Sequence, residues 1–424
     1  MAVLRALALN AGSSTLKAAL YELEPGARLA DPAAARWRCS VEWDPTGRDD
    51  GAADLLARVP ADVDVVGHRI VHGGERFRRP QRITHVAKEA IGELAEWAPL
   101  HNAAALRAIA AAERFAGRST PQVAVFDTAF HADLPAGAHT YAGPREWLER
   151  GLRRFGFHGI SHEYAAHRAA RLLGRPLTEL RLITCHLGSG CSLAAVRHGR
   201  SVDTTMGFTP LDGLVMGTRP GTLDPGLILH LLRQPGASVE TLDTLLNHRS
   251  GLRGLSGGSG DLREVLDARA AGDAAAGLAF EVYVHRLRSH IGSMLGALGG
   301  LDAIVFTAGV GENSAAVREA ALAPFGFLGA RLDPERNATA EPDGDIAAPG
   351  AAVRVLVIRA REEWAIARAA AEVARVAAAS PARHTPAYSS GRGAPRSDSG
   401  RAPKMRRALT SIGTSLMLAS RRVM

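Results

Sequence analysis

The chain states one short phrase twice, and that repetition restricts its architecture more than any other feature. Near the start it reads Asn10-Ala-Gly-Ser-Ser-Thr-Leu-Lys-Ala-Ala-Leu20, behind the apolar run Leu4 to Leu9. Far downstream it reads His186-Leu-Gly-Ser-Gly-Cys-Ser-Leu-Ala-Ala-Val196, behind Leu182-Ile-Thr-Cys185. Overlaid without a gap, Gly12 falls on Gly188, Ser13 on Ser189, Ala18-Ala19 on Ala194-Ala195 and Leu20 on Val196. Each copy predicts a strand, a Gly/Ser turn and a second strand. Such a turn leaves backbone N–H and hydroxyl groups open, a concavity suited to phosphate. Two copies predict two similar domains facing one polyphosphate.

A chain of 424 residues accommodates two ordinary domains. The net charge of +8 belongs to its end: nine Lys/Arg and one Asp lie from Ser380 onward, and the preceding body holds 42 residues of each sign. The high pI therefore gives the body no nucleic-acid groove. No apolar run reaches the roughly 18 residues of a membrane span, and the N-terminus has no signal-peptide pattern, so a cytoplasmic location is expected. Cys39, Cys185 and Cys191 form no CxxC pair; the last two read as small buried residues. Residues 380–404 read as a disordered Pro/Ser/Gly/Arg segment. Met405 to Met424 reads as a solvated tail, with a basic amphipathic helix against a membrane or partner as the alternative.

Strands are predicted at Val3–Leu9, Leu16–Tyr21, Val63–Val66 and Val123–Phe126, with helices at Ala87–Glu96 and Asn102–Phe115. The second half predicts strands at Leu182–Cys185, Ser192–Arg197, Ala303–Thr307 and Val353–Ile358. Its helices fall at His162–Leu173, Leu262–Ala270, Ala274–Leu298 and Glu362–Ala378. Interleaved strands and helices predict an α/β layered fold.

Several phrases carry chemistry. Lys17 follows the first turn, where an ammonium would meet phosphate oxygens; the chain holds only Lys17, Lys88 and Lys404. Gly67-His-Arg-Ile-Val-His-Gly-Gly-Glu75 places Arg69 at a strand end, able to grip a carboxylate or to pair structurally with an Asp. Val125-Phe-Asp-Thr-Ala-Phe-His131 ends a strand in Asp127. Phe155-Gly-Phe-His-Gly-Ile-Ser-His162 sets two histidines around a turn, and no third clustered ligand accompanies them, which argues against zinc. Asp203 to Pro225, with four Gly and three Pro, reads as a specified loop carrying Arg219. Leu255–Arg263 and Phe306–Asn313 read as Gly-rich loops, each before a helix.

Together these phrases, in this order, resemble the acetate kinase family from Val3 to about Arg368. The resemblance implies the fold of the acetate and sugar kinase, Hsp70 and actin superfamily: duplicated ribonuclease H-like domains with the active site in the cleft between them. It implies residues 1–140 plus 362–379 as one domain and 141–361 as the other, with 380–424 a basic tail that has no counterpart in the family pattern. It implies reversible transfer of the ATP γ-phosphoryl group to acetate, a homodimer, and Mg2+ (or Mn2+) held by Asn10 and Glu362.

The same resemblance implies Asp127, His158 and Arg219 as catalytic, and Arg69 as the carboxylate-orienting group. Val71, Leu100, Phe157 and Pro210 would form the methyl pocket. ATP would meet Lys17, His186, Leu187, Gly188, Ser189, Gly190, Asp261, Leu262, Arg263, Gly309, Val310, Gly311, Glu312 and Asn313. The chain departs from the family pattern at Ser189, at Pro220 and Thr222, and at Ala360-Arg361. The chemistry is consistent with these roles. A carboxylate titrates near ~4 and is already a nucleophile at neutral pH, so the task is to bring two anions together. Asp127 is therefore expected to orient Arg69 or the metal rather than accept a proton. Two alternatives stay open: a propionate or other short-chain carboxylate kinase, and a nucleotide-binding module without catalysis.

Overall fold

The computed structural model describes residues 2–12, 15–44, 51–97 and 99–379, without the side chains of residues 99–101. Apolar runs in both halves build the same sheet twice. In the first, β1 (Leu4–Ala11), β2 (Thr15–Leu23), β3 (Trp37–Glu42), β4 (Val65–Ile70), β5 (Gln81–Arg82) and β6 (Gln122–Phe126) take the order β3-β2-β1-β4-β6-β5. In the second, β7 (Arg181–Leu187), β8 (Cys191–Arg197), β9 (Arg200–Thr204), β10 (Ala303–Thr307), β11 (Gly344–Asp345) and β12 (Arg354–Val357) take the order β9-β8-β7-β10-β12-β11. Each sheet has three antiparallel strands, then two parallel ones, then a two-residue antiparallel strand at the far edge. The central strands are buried almost throughout, because helices cover the sheets and a continuous apolar run is needed to face both layers.

The duplication is real in topology, but the gapless overlay slips by one residue at the turn. Ala11 pairs with Leu16 in the first hairpin, leaving four residues in the turn; Leu187 pairs with Cys191 in the second, leaving three. Asn10 therefore faces Lys17 across the first hairpin, and His186 faces Ser192 across the second. The counterpart of Lys17 is Ser192, not Leu193, and Ala19 corresponds to Ala194. A one-residue shift exchanges the two faces of a strand, so the correction decides which side chains share a site.

Three further features were not legible at the outset. β3 and β9 were unassigned. The predicted helix at Ala87–Glu96 is an α-helix at His85–Glu93 followed by a 3-10 turn at Leu94–Glu96. The second Gly-rich segment is itself a short helix, Ala308–Asn313.

Two helices position the site. Gly159–Leu173 packs against strands of both sheets. Glu362–Ala379 lies over β1, β2, β4 and β6 of the first sheet, although it follows the last strand of the second. Its approach is close: a Cβ at Gly67 would stand 2.8 Å from Ile366 Cγ2 and 2.9 Å from Ala370 Cβ. Glycine in β4 thus lets the helix settle and brings its first residues, Glu362 and Glu363, to the ends of β1 and β4.

Candidate active site

Three adjacent strands of the first sheet deliver polar residues at their carboxyl ends, where α/β sheets commonly bind ligands. Arg69 of β4 donates to both Asp127 oxygens, through Nε at 3.1 and 3.0 Å and Nη2 at 2.6 Å. Its Nη1 donates to Asn10 Oδ1 at 3.1 Å. Asn10 Nδ2 donates in turn to Glu362 Oε2 at 3.0 Å and to Glu363 Oε1 at 3.3 Å. Burial pushes the Asp127 carboxyl up and Arg69 pulls it back; three hydrogen bonds from Arg69 define a carboxylate. Burial also works against the Glu362 carboxylate, but Arg69, His186, Asn10 and Lys17 outweigh it and hold its pKa below the usual value. Lys17 is exposed, and among the described residues no ion pair engages its ammonium.

The second sheet and its loops bring a different set. His158 takes a left-handed backbone (φ 56°) just before the Gly159–Leu173 helix, a conformation uncommon for a residue with a Cβ. Its ring stacks on His186 at 4.2 Å between centroids. Burial, with His186, Arg69, His162 and Arg219 nearby, drives its pKa well below 6.5 and leaves it neutral. Arg219 donates through Nη1 to the Pro210 carbonyl at 2.8 Å, and among the described residues no carboxylate pairs with it. A Cβ placed on Gly190 would stand 2.8 Å from Arg219 Nη2 and 3.4 Å from His158 Nε2. Those two nitrogens therefore face one spot beside the second turn. A half-buried guanidinium with no counter-charge is an anion site in waiting.

A cleft of about 820 Å3 adjoins this spot. Of the fourteen nucleotide contacts inferred, eight line it: Gly188, Ser189, Asp261, Leu262, Arg263, Gly309, Val310 and Asn313. Lys17, His186, Leu187, Gly190, Gly311 and Glu312 do not. Leu187 is fully buried in the core, and Glu312 accepts from the Ala360 N–H at 2.7 Å instead. Asp261 caps the Leu262–Ala270 helix and pairs with Arg263 at 2.5 Å, which shapes one wall. Gly217 and Thr218 of the specified loop also line it, while Leu252, Tyr283 and Ser314 line it without a sequence signal; Tyr283 lies in the middle of a long helix whose periodicity marks only core.

Val71 and Phe157 are buried in one cluster with Phe155, and half-buried Trp97 and Phe208 pack against it. Pro210 joins through its carbonyl to Arg219. The Leu100 side chain lies outside the described residues, as do Ser13, Ser14 and everything from Ser380. The sequence gives no signal for His72: its ring is enclosed by Trp97, Phe155, Phe157 and Phe208, and Asn102 brackets its backbone.

Among the described residues no group of three or more His, Cys, Asp or Glu could hold a metal ion. The Glu362 carboxylate and the Asn10 amide oxygen are hard donors, which fits a cation that takes its other ligands from phosphate and water. No described helix is long and apolar enough to cross a membrane.

Residues 53–368 match the profile of the acetokinase family. The chain belongs to the acetokinase family. It is 50% identical over 397 residues to an acetate kinase of Gloeobacter violaceus, covering 86% of this chain and 98% of that protein. It is 51% identical over 399 residues to one of Nostoc sp., with the same coverage. Among solved structures, Porphyromonas gingivalis acetate kinase superposes with a TM-score of 0.77 at 35% identity, over 87% of this chain and 99% of that one. A propionate kinase from Francisella tularensis superposes with a TM-score of 0.77 at 34% identity, over 88% of this chain and 100% of that one. Carboxylate kinase chemistry, with ATP and ADP as the nucleotides, is the property of this acetokinase fold.

Proposed function

We propose that the protein moves the γ-phosphoryl group of ATP directly to acetate, giving acetyl phosphate and ADP, and runs the reverse reaction by the same path. The observation that carries this reading is Arg219: a cation with no carboxylate partner among the described residues, sharing one spot with His158 Nε2 and close enough to Arg69 to feel its charge. Two anions must meet there, and fixed donors stabilise the charge that gathers as the phosphoryl group passes between them. Arg69, locked by Asp127, orients the acetate carboxylate. Arg219 and His158 donate to phosphoryl oxygens. Val71, Leu100, Phe157 and Pro210 enclose the methyl group. Glu362 and Asn10 would hold Mg2+, with Mn2+ as a substitute, and such an ion neutralises phosphate charge when bound. Residues 1–140 with 362–379 act as one lobe and 141–361 as the other, and their closure excludes water.

A homodimer is part of the proposal. The helices Pro225–Leu232 and Val239–His248 bury no residue and expose Leu227, Leu229, Leu232, Val239 and Leu245, an apolar face of the kind that marks an interface. Light scattering on the full chain reads the mass.

The reaction is tested by trapping acyl phosphate with hydroxylamine in the presence of ATP, Mg2+ and acetate. Hydroxamate is expected, and its absence from folded protein would return the chain to a binding-only module. Relative kcat/KM for acetate, propionate and butyrate tests the acceptor. Clear preference for propionate would make the protein a propionate kinase of the same fold.

A further inference from the structure

Behind His158 runs an unbranched chain of hydrogen bonds that the proposed reaction does not use. His158 Nδ1 lies 2.8 Å from Ser192 Oγ. The same Oγ lies 2.8 Å from His162 Nε2. His162 Nδ1 lies 2.7 Å from Thr184 Oγ1. Thr184, His162 and Ser192 are fully buried, so bulk water does not satisfy any of these atoms.

A neutral imidazole donates from one nitrogen and accepts at the other, and each hydroxyl has one proton to give. The proton order along the chain is therefore all-or-none. In one order Thr184 donates to the Ala194 carbonyl, at a long 3.4 Å. His162 Nδ1–H then donates to Thr184, Ser192 donates to His162 Nε2, and His158 Nδ1–H donates to Ser192. That order leaves a bare lone pair on His158 Nε2, facing the anion spot. In the other order Thr184 donates to His162 Nδ1, His162 Nε2–H donates to Ser192, and Ser192 donates to His158 Nδ1. His158 Nε2–H then faces the spot.

Only the second order lets a neutral His158 bind phosphoryl oxygens, which carry lone pairs and no protons. Choosing it gives up a single bond, the 3.4 Å contact to Ala194, near the limit of useful length. We propose that Thr184, His162 and Ser192 are positioning residues that hold His158 as its Nε2–H tautomer when nucleotide is bound. This rests on the reading of His158 as a phosphoryl donor. His162 carries no charge in this scheme, since burial with His131 and His186 nearby keeps it neutral.

The test is the tautomer itself, read by nitrogen–proton NMR on full-length protein with 15N-labelled histidine, ATP and Mg2+ present. His158 is expected with Nε2 protonated and Nδ1 bare. Thr184→Val touches neither ligand nor His158, yet is expected to mix the two tautomers and lower kcat several-fold at unchanged KM for ATP and acetate. Thr184→Ser is expected to restore both. Ser192→Ala cuts the chain next to His158, and its kcat is expected to fall about tenfold or more, short of the ~100-fold cost of deleting a fixed donor outright. An Nδ1-protonated His158 in the loaded wild-type protein overturns the proposal. So does a Thr184→Val protein with wild-type tautomer and kcat. Failure to make hydroxamate would sink the enzymatic reading without touching the tautomer measurement, so the two failures are distinguishable.

Discussion

The two sheets share strand order, strand direction and a Gly/Ser hairpin, yet they equip the cleft with opposite chemistries. In the first, Arg69 and Asp127 at the strand ends form an ion pair, and Asn10 bonds to charged partners on both sides. In the second, the matching hairpin offers His186 and Ser192, and the neighbouring His158 and His162 are satisfied by hydroxyls. The fold sets where side chains arrive; it does not set their charge. A buried ion pair is costly to separate, whereas a neutral hydroxyl–imidazole bond is cheap to lose. The first lobe should therefore be brittle to single substitutions and the second tolerant.

The strongest test of that contrast is Asp127→Ala against Ser161→Ala. The first strands Arg69 in a buried site, and breaking such a pair costs about 3–5 kcal/mol. It also frees the guanidinium proposed to orient the acceptor, so turnover is expected to fall by about a thousandfold or more, on the scale of lost transition-state donors. Ser161→Ala removes a hydroxyl 2.8 Å from His186 Nδ1, at about 1–3 kcal/mol. Denaturant midpoints and kcat on both proteins check the ranking. Equal losses would end the distinction between the lobes.

Acid separates the same two chemistries in solution. Burial lowers His68, His72, His131 and His186 to about 4 from 6.5. The unfolded chain binds protons that the folded one refuses, so stability is complete above pH ~6.5 and drains away as pH falls toward ~4. At pH 5 each histidine costs about 2 kcal/mol by this linkage. Burial lifts the Asp127 carboxyl above its ordinary range, so its titration takes no stability away as pH falls, and the loss in this window belongs to imidazoles. Unfolding midpoints at pH 7 and pH 5 measure it, and a flat profile across that window contradicts it.

A third substitution works through geometry alone. In Gly190→Ala the new methyl would meet Arg219 Nη2 at 2.8 Å, at the free end of a long side chain. The fold absorbs that displacement, but the anion spot does not. Stability is expected to stay near wild type, while kcat falls about tenfold to a hundredfold, the penalty for misplacing a donor by an ångström. A destabilised but fully active protein would show that the glycine serves the turn and not the site.

These tests trace what sequence could and could not carry. The central strands were legible because burial on both faces demands unbroken apolar runs, as in β1 and β10. The sheet edges were not: β3 alternates half-buried and exposed residues, and β5 and β11 are two residues long. Arg69 and Asp127 stood out because each closes a strand, where period and chemistry change together, whereas Asn10 was singled out only through the family resemblance. The one-residue slip at the second hairpin was invisible, since Ala-Ala repeats align in either register and only pairing distinguishes them. Ser192 and Thr184 stayed hidden for that reason; their value lies in which face of β7 and β8 they occupy. His72 and Tyr283 were hidden because aromatic enclosure is assembled from distant segments.

The smallest expected effect lies where the two lobes stop being separate. Val71 follows β4 of the first sheet, yet it is buried in the hydrophobic cluster of the second, with Phe155, Phe157, Met206 and Leu214. The proposed acyl pocket is thus lined by both halves through apolar contact, and charge has no bearing on it. Val71→Ala removes two methyl groups from that shared wall. One methylene of acceptor is worth about 1–3 kcal/mol in such a pocket, so the variant's kcat/KM ratio of propionate to acetate is expected to rise about tenfold. Arg69 and Arg219 are untouched, so kcat for acetate should hold within a few-fold. An unchanged ratio would place the acyl chain elsewhere. A collapse of acetate turnover would mean that Val71 holds the lobes in register instead of measuring the substrate.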